Sequence, residues 1–454
     1  MLQVDLDLIR RYDTPGPRYT SYPTAPHLSD TVRWGDLKPY IAENNQNDNA
    51  PISLYFHLPF CRSLCWFCGC TNVITQDDSS SAEYLEYLHK ELEMTSALIN
   101  RKRPVTQLHF GGGSPTFLQP DEIRRLGHWI HETFPFASKY EAGVEIDPRT
   151  ATEEKMKAFA EVGFNRVSIG IQDVNPEVQQ AVHRVQPHEM NLRTIDWARS
   201  NGIQSVNIDL IYGLPKQTVS SFEKTIDTVL KMHPDRFAVF NYAHVPWIKK
   251  AQNALTPLHP EEKLALLKMT IEKLTSEGYV YIGMDHFALE NDELTIAQHN
   301  KTLQRNFQGY STHADADIYA FGMSSISQTK DIYWQNRKDL KEYYQAIQDG
   351  QPPQIKGYIL SADDKIRRHT IMRLMCDLAL DYDAIGKQLQ IPFKDYFAEE
   401  IAALQPFAED GLINLNNSGF TVTEVGRLLI RNIAMTFDYY IAQDRKTRTF
   451  SRTI

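Results

Sequence analysis

From residue 52 onward the chain alternates short β-rich runs with longer amphipathic stretches. The runs are ISLYFHL (52–58), VTQLHF (105–110), GVEID (143–147), RVSIGIQ (166–172), SVNIDLIYG (205–213), RFAVFNY (236–242) and YVYIGMDHF (279–287). Between them lie patterns such as SAEYLEYLHKELEMTSALI. There Leu85, Leu88, Leu92 and Ile99 share one helical face, and Ser81 is placed to cap the N-terminus. Strands and helices alternating at this spacing predict a parallel sheet with right-handed crossovers. The expected fold is α/β, a full or partial TIM-like (β/α) barrel filling 51–350.

The strand ends carry more information than the strand middles. Glu145, Asp147, Gln172, Asp209, Asn241 and the pair Asp285–His286 close successive runs. One such residue would cap the next helix; a succession of them at the carboxyl edge points to a shared ligand site. The segment 1–50, rich in proline and tyrosine, is expected to lie over that edge. Two polar stretches, ENNQNDNAP (43–51) and TQDDSSS (75–81), read as loops. Past residue 355 the pattern turns helical. GLINLNNSGFTVT (411–423) reads as a hairpin turning near Asn417 and Gly419, and a helix follows in EVGRLLIRNIAMTF. A winged-helix-like C-terminal domain, 355–454, is therefore expected. Arg427 and Arg431, one turn apart, would suit either nucleic acid or a cap on the barrel, and the charge balance favours the cap.

Composition changes this picture little. Hydrophobic content of 42% and charged content of 23% are ordinary for a globular protein. The net charge of −9 argues against general nucleic-acid binding, so an anionic substrate would need a local basic pocket. The N-terminus has no apolar stretch fit for a signal peptide, and no apolar run is long enough to span a bilayer.

Cysteine changes it a great deal. Four of the five cysteines, Cys61, Cys65, Cys68 and Cys70, sit in FCRSLCWFCGC (60–70), directly after the first strand; Cys376 lies apart. Disulfides among such close neighbours would be strained, and the clustering suits metal or redox chemistry in a reducing cytoplasm. Structural zinc usually takes paired knuckles from separated parts of the chain, with Cys70 or His57 as the fourth ligand here. A ferredoxin-like electron carrier would use all four sulfurs. An iron–sulfur cluster held by only three would keep one iron open to a substrate or cofactor.

The spacing Cys61-x3-Cys65-x2-Cys68, with Phe67 before the third cysteine and HFGGGSPTFL (109–118) after the second strand, resembles the radical S-adenosylmethionine (SAM) superfamily. The segments GPRYTSYPTA (16–25), CGC (68–70), GFNRVSIGIQDVN (163–175), NIDLIYGLPKQT (207–218), FNYAHVP (240–246), IGMDHFA (282–288), RNFQGYST (305–312) and GRLLIRNIAMTFD (426–438) are similar, within it, to the oxygen-independent coproporphyrinogen III oxidases. The resemblance implies a [4Fe–4S] cluster on Cys61, Cys65 and Cys68, with SAM chelated at the open iron and cleaved to a 5′-deoxyadenosyl radical. Two propionates of coproporphyrinogen III would become vinyl groups in haem biosynthesis, consuming two SAM molecules. Position by position, Tyr55, Phe67, Gly112, Glu145 and Ile326 match a first SAM site. Gly113, Ser114, Gln172, Arg184, Asp209 and Ala243 match a second; Ser114 stands where threonine is more usual, with the hydroxyl kept. Cys70 and Tyr55 are the implied catalytic side chains. Arg18, Arg149, Lys216 and Arg305 are candidates for the substrate carboxylates, and Tyr19, Tyr22 and Tyr310 for aromatic walls. A low-potential flavodoxin- or ferredoxin-like donor, an electron acceptor of unspecified kind and a monomeric chain are also expected. The competing readings are a haem chaperone of a related branch and a radical enzyme with another substrate. CGC and GPRYTSYPT favour the oxidase.

Overall fold

A computed structural model describes residues 6–47, 49–313 and 316–447. The β-rich runs become β1 (Ile52–Leu58), β2 (Val105–Gly112), β3 (Phe136–Ile146), β4 (Arg166–Gln172), β5 (Ser205–Tyr212) and β6 (Arg236–Asn241). Each pairs in parallel with the next. Their apolar side chains are almost fully buried, as strands covered on both faces require.

The seventh run is not one strand. It breaks into the hairpin β7 (Tyr279–Gly283) and β8 (His286–Leu289), with β8 antiparallel to β6. Met284 and Asp285 form the turn with φ of 47° and 80°, the left-handed pair that a tight hairpin demands. At the other edge β9 (Asp317–Phe321) lies parallel to β1, followed by the antiparallel strands β10 (Ile326–Gln328), β11 (Ile332–Asn336) and β12 (Gln354–Ile359). The result is one open, twelve-stranded sheet in the order β12-β11-β10-β9-β1-β2-β3-β4-β5-β6-β8-β7.

Helix Ser79–Ser96 starts earlier than the pattern suggested, so Ser81 is not its cap. The Ser81 hydroxyl instead lies 2.9 Å from a Glu122 carboxylate oxygen. Leu85, Leu88 and Leu92 pack into the main core as expected; Ile99 joins it from beyond the helix end. The 411–423 hairpin forms, as Ile413–Asn416 and Gly419–Val422, and Ala379–Asp381 adds a third strand. The stretch after it is a 3-10 turn, Gly426–Leu429, running into the short helix Ile430–Met435.

Arginines at this end fasten the chain to itself. Arg431 donates from Nε to the Pro17 carbonyl at 3.0 Å and also to the Gly16 carbonyl. Arg427 donates to the Tyr281 carbonyl at 2.5 Å and to Gln298 at 3.0 Å. Neither guanidinium is presented to nucleic acid. Tyr19 and Tyr22, each 1% exposed, are packed into the core of the C-terminal region. The Tyr19 hydroxyl donates to Asp438 at 2.8 Å, and the Tyr333 hydroxyl to the Tyr22 carbonyl at 2.7 Å. These two tyrosines are therefore structural side chains and not walls of a substrate cavity. Among the described residues no helix is long and apolar enough to cross a membrane.

Candidate functional site at the strand ends

The cysteine loop follows β1 and is held against its neighbours by backbone. Its residues Phe60–Cys61 pair with Val73–Ile74, and Trp66 N–H donates to the Val182 carbonyl at 3.0 Å. Cys65 is buried, Cys61 and Cys68 half-buried, Cys70 exposed, and all are free thiols. Donors surround the sulfurs. Arg149 Nη2 lies 3.2 Å and Arg184 Nη1 3.4 Å from Cys65 Sγ, and Asn72 Nδ2 lies 3.5 Å from Cys68 Sγ. Hydrogen bonding from Cys70 pulls the Cys68 thiol down to about 6, while the same bond pushes Cys70 up; burial pushes Cys61 up to about 12. Three neighbouring thiols, with guanidinium and amide N–H donors at Cys65 and Cys68, fit an anionic metal–sulfur group. Among the described residues no three His, Cys, Asp or Glu side chains converge tightly enough to chelate one ion.

Next to the loop, Asp147 binds both arginines, Arg149 Nη2 at 2.7 Å and Arg184 Nη1 at 3.3 Å. Burial would raise its carboxyl, but the two guanidiniums outweigh that and hold it at about 2. Arg149 is thus committed to Asp147 and Cys65, and is not a free dock for a substrate carboxylate. Arg184 also donates to the Gly170 carbonyl at 2.6 Å, and its buried Nε finds no partner among the described residues. That orphan donor is a mark of a site built for something more.

The glycine run has a tighter rationale than ligand approach alone. A Cβ on Gly111 would lie 2.8 Å from Glu145 Oε1, one on Gly112 2.6 Å from the His57 ring, and one on Gly113 2.3 Å from the Pro59 carbonyl oxygen. Packing and backbone conformation exclude side chains at Gly112 and Gly113, whereas at Gly111 the Glu145 carboxylate would have to move aside. Glu145 accepts from the Gly112 N–H at 3.2 Å and sits 3.3 Å from His109 Nε2. Burial would raise this carboxyl, but His109, the Gly112 N–H and His57 hold it below its ordinary range. Tyr55 stacks on His109 with ring centroids 5.9 Å apart, and its hydroxyl meets His57 Nδ1 at 3.2 Å. His57, whose other nitrogen lies 2.9 Å from the Thr71 carbonyl oxygen, is a positioning residue that the spacing arguments used only as a possible zinc ligand.

Asp209, on β5, meets Ser168 Oγ at 2.9 Å and Asn207 Nδ2 at 2.7 Å. Burial dominates there and lifts the carboxyl to about 7. Gln172 closes β4 with φ of 68°, a left-handed conformation for a side-chain-bearing residue at a register shift. Ser114 is buried, its hydroxyl 2.8 Å from that of Thr116. Phe67 packs beside the Val178–Val182–Tyr242 cluster, and its carbonyl accepts from Gln252 at 3.0 Å. Lys249 reaches across to the Cys70 carbonyl. Ala243 is exposed beyond the end of β6, and Ile326, at the start of β10, packs beside the Leu28–Tyr333–Leu360 cluster.

The remaining substrate candidates scatter. Arg18 pairs with Asp285 in the β7–β8 turn. Lys216 is exposed on the loop after β5. Arg305 is buried over the Tyr310 ring, 4.7 Å from its centroid, and donates to the Arg18 carbonyl at 3.3 Å. The Tyr310 hydroxyl donates to the Met375 carbonyl at 3.3 Å.

A thiol loop after the first strand of an open parallel barrel, with polar strand ends converging on it, defines a radical SAM protein. Residues 55–229 match the family model of the Radical SAM superfamily, and 360–429 that of the HemN C-terminal domain. The chain is 45% identical over 455 residues to the oxygen-independent coproporphyrinogen III oxidase of Pseudomonas aeruginosa, covering 99% of this chain and 98% of that one. The Escherichia coli protein of the same name is 45% identical over 453 residues, with coverage of 99% and 98%. The solved structure of the Escherichia coli enzyme, described as a radical SAM enzyme, superposes with a TM-score of 0.92 at 43% identity, over 97% of this chain and 100% of that one. The chain belongs to the oxygen-independent coproporphyrinogen III oxidase family, and that membership implies a [4Fe–4S] cluster and SAM.

Proposed function

We propose that this protein converts two propionate side chains of coproporphyrinogen III to vinyl groups, giving protoporphyrinogen IX without O2. The observation that carries the reading is full-length similarity to oxidases of that name, joined to a donor-ringed thiol loop at the carboxyl edge of the sheet. Each propionate loses CO2, one hydrogen atom and one further electron, which goes to an acceptor outside the chain.

Cys61, Cys65 and Cys68 would hold the cluster, leaving one iron for SAM. When bound, the cluster and SAM supply the hydrogen-atom abstraction. Tyr55, Phe67, Gly112, Glu145 and Ile326 are assigned to one SAM and Gly113, Ser114, Gln172, Arg184, Asp209 and Ala243 to another. The carboxylate of Glu145, kept ionised by its neighbours, suits a cationic amino group or ribose hydroxyls. The Arg184 fork suits a carboxylate. Cys70 shares a hydrogen bond with Cys68 and is assigned a catalytic part beside the cluster. Tyr55, clamped between His57 and His109, presents a fixed ring to the same space. Of the segment 1–50, Asp13 and Arg18 reach the strand ends, whereas Asn45 lies against Leu98, Asn100 and Arg103 at the opposite edge; 51–350 is assigned as the catalytic barrel domain and 355–454 as a winged-helix-like cap. A monomer in the cytoplasm, reduced by a flavodoxin- or ferredoxin-like protein, completes the proposal; the unpaired thiols support a reducing compartment.

Anaerobic reconstitution with iron, sulfide, a reductant, SAM and coproporphyrinogen III tests it. Vinyl groups and CO2 in equal number, with one methionine released per vinyl group, are the expected result. Tight haem binding without CO2 would replace the oxidase by a haem chaperone.

A further inference from the structure

At the same sheet edge a cavity of about 340 Å³ opens beside the thiol loop without including it. Asp13 and Arg18 close it from the N-terminal segment, Asp285 from the β7–β8 turn, Lys263 from helix Pro260–Ser276, and Arg431 from the C-terminal region. The end of β6 forms its floor and continues into 244–254. That stretch touches the thiol loop through Lys249 on the Cys70 carbonyl and Gln252 on the Phe67 carbonyl. One backbone segment therefore separates the cavity from the reacting end of the site.

The lining charges do not balance. Arg18, Lys263 and Arg431 face two carboxylates, Asp13 and Asp285. His244 adds no charge, because burial and Lys263 lower its pKa. Arg18 is engaged by Asp285, and Arg431 by the carbonyls of residues 16 and 17. Lys263 donates to the Tyr242 carbonyl at 3.1 Å, which leaves two ammonium protons for a further acceptor; burial lowers its pKa, and an anion beside it would raise it again. Asn241 also borders the cavity, and its buried amide oxygen has no hydrogen-bond partner among the described residues. An unbalanced cation in a confined space is costly unless an anion joins it, and the chain as a whole carries the opposite sign.

We propose that this cavity is a carboxylate subsite, in which Lys263, beside the Arg18–Asp285 pair, receives a propionate of the tetrapyrrole that is not being decarboxylated. The inference rests on the substrate assigned above and names where one of its arms is held. Ala243, assigned above to a SAM, borders the cavity, but a lone alkyl carboxylate balances the lining, whereas the amino-acid end of SAM, carrying its own ammonium, does not. At about 340 Å³ the space is at the small end of ligand pockets, fit for a side arm and not for a macrocycle.

The test uses the full-length reconstituted protein and two variants, Lys263→Met and Lys263→Arg. Equilibrium binding of fluorescent coproporphyrin III gives one readout; separate KM values for coproporphyrinogen III and SAM give another. Lys263→Met is expected to weaken tetrapyrrole binding and raise the porphyrinogen KM about tenfold, the worth of one charge-assisted hydrogen bond. The SAM KM should stay within about twofold, and Lys263→Arg should recover most of the loss. Unchanged tetrapyrrole affinity in Lys263→Met would overturn the subsite, as would a rise confined to the SAM KM. The two readings separate cleanly. Weakened binding in a protein that releases no CO2 keeps the subsite and removes the reaction, whereas CO2 release with equal affinities does the reverse.

Discussion

Glu145 on β3 and Asp209 on β5 are acidic side chains at the same edge of one sheet, two strands apart, yet their surroundings drive them in opposite directions. Around Glu145 the chain supplies an imidazole, a backbone N–H and a second histidine, so the carboxyl stays below its ordinary range. Around Asp209 it supplies a hydroxyl and an amide, and burial lifts the carboxyl to about 7. The half built from β1 to β3 is electrostatically finished. The half from β4 to β6 holds a proton that an incoming cation would expel, so filling it should release a proton near neutral pH.

Substitutions that erase each charge measure that difference. Glu145→Gln should cost at least about 100-fold in kcat/KM for CO2 release, because it removes an ionised acceptor. Asp209→Asn should cost closer to tenfold at pH 7, since the native group is already partly neutral there. Equal losses would break the comparison.

The next effects are on stability. Gly112→Ala must fit a methyl 2.6 Å from the His57 ring at φ of 113°, and should destabilise the apoprotein by about 2–4 kcal/mol in urea unfolding. For Asp209 the sign follows from proton binding. Above about pH 4 the unfolded carboxyl ionises while the folded one keeps its proton to about 7, so wild type loses stability as pH rises through that window. Asp209→Asn should therefore be more stable than wild type at pH 8 by roughly 2–4 kcal/mol, with the gain gone at pH 4. Glu145→Gln should show no such gain. Smallest of all, Gly69→Ala, where the new methyl meets open space, should stay within about 0.5 kcal/mol of wild type. A large loss there would mean that the loop between Cys68 and Cys70 tolerates far less than its packing indicates.

Much of this was legible in the sequence because the β-rich runs and their polar endings are local signals. The runs at 52–58, 166–172 and 205–213 became strands nearly residue for residue, and the thiol loop followed the first of them. What escaped depends on partners distant in sequence. The hairpin inside 279–289 was hidden because Met284, at φ of 47°, is not a residue that usually marks such a turn, and Asp285 alone was a weak signal. Strand Asp317–Phe321 closes the parallel set beside β1, and DIYAFG, an apolar run ending in glycine as SVNIDLIYG does, was the signal available for it. Arg149 and Tyr19 carried the right chemistry for a substrate site. Their true partners, Asp147 with Cys65 and Asp438, could be assigned only once the chain was folded.

The grip of Arg431 on the carbonyls of Gly16 and Pro17 joins positions 415 and 414 residues apart. On a ribosome moving at about 5–20 residues per second, the early segment waits roughly 20–80 s for its clasp to be made. Throughout that interval the segment around Gly16 and Pro17 lacks this clasp, so the cover it contributes at the strand ends is fastened only after the C-terminal region has been made.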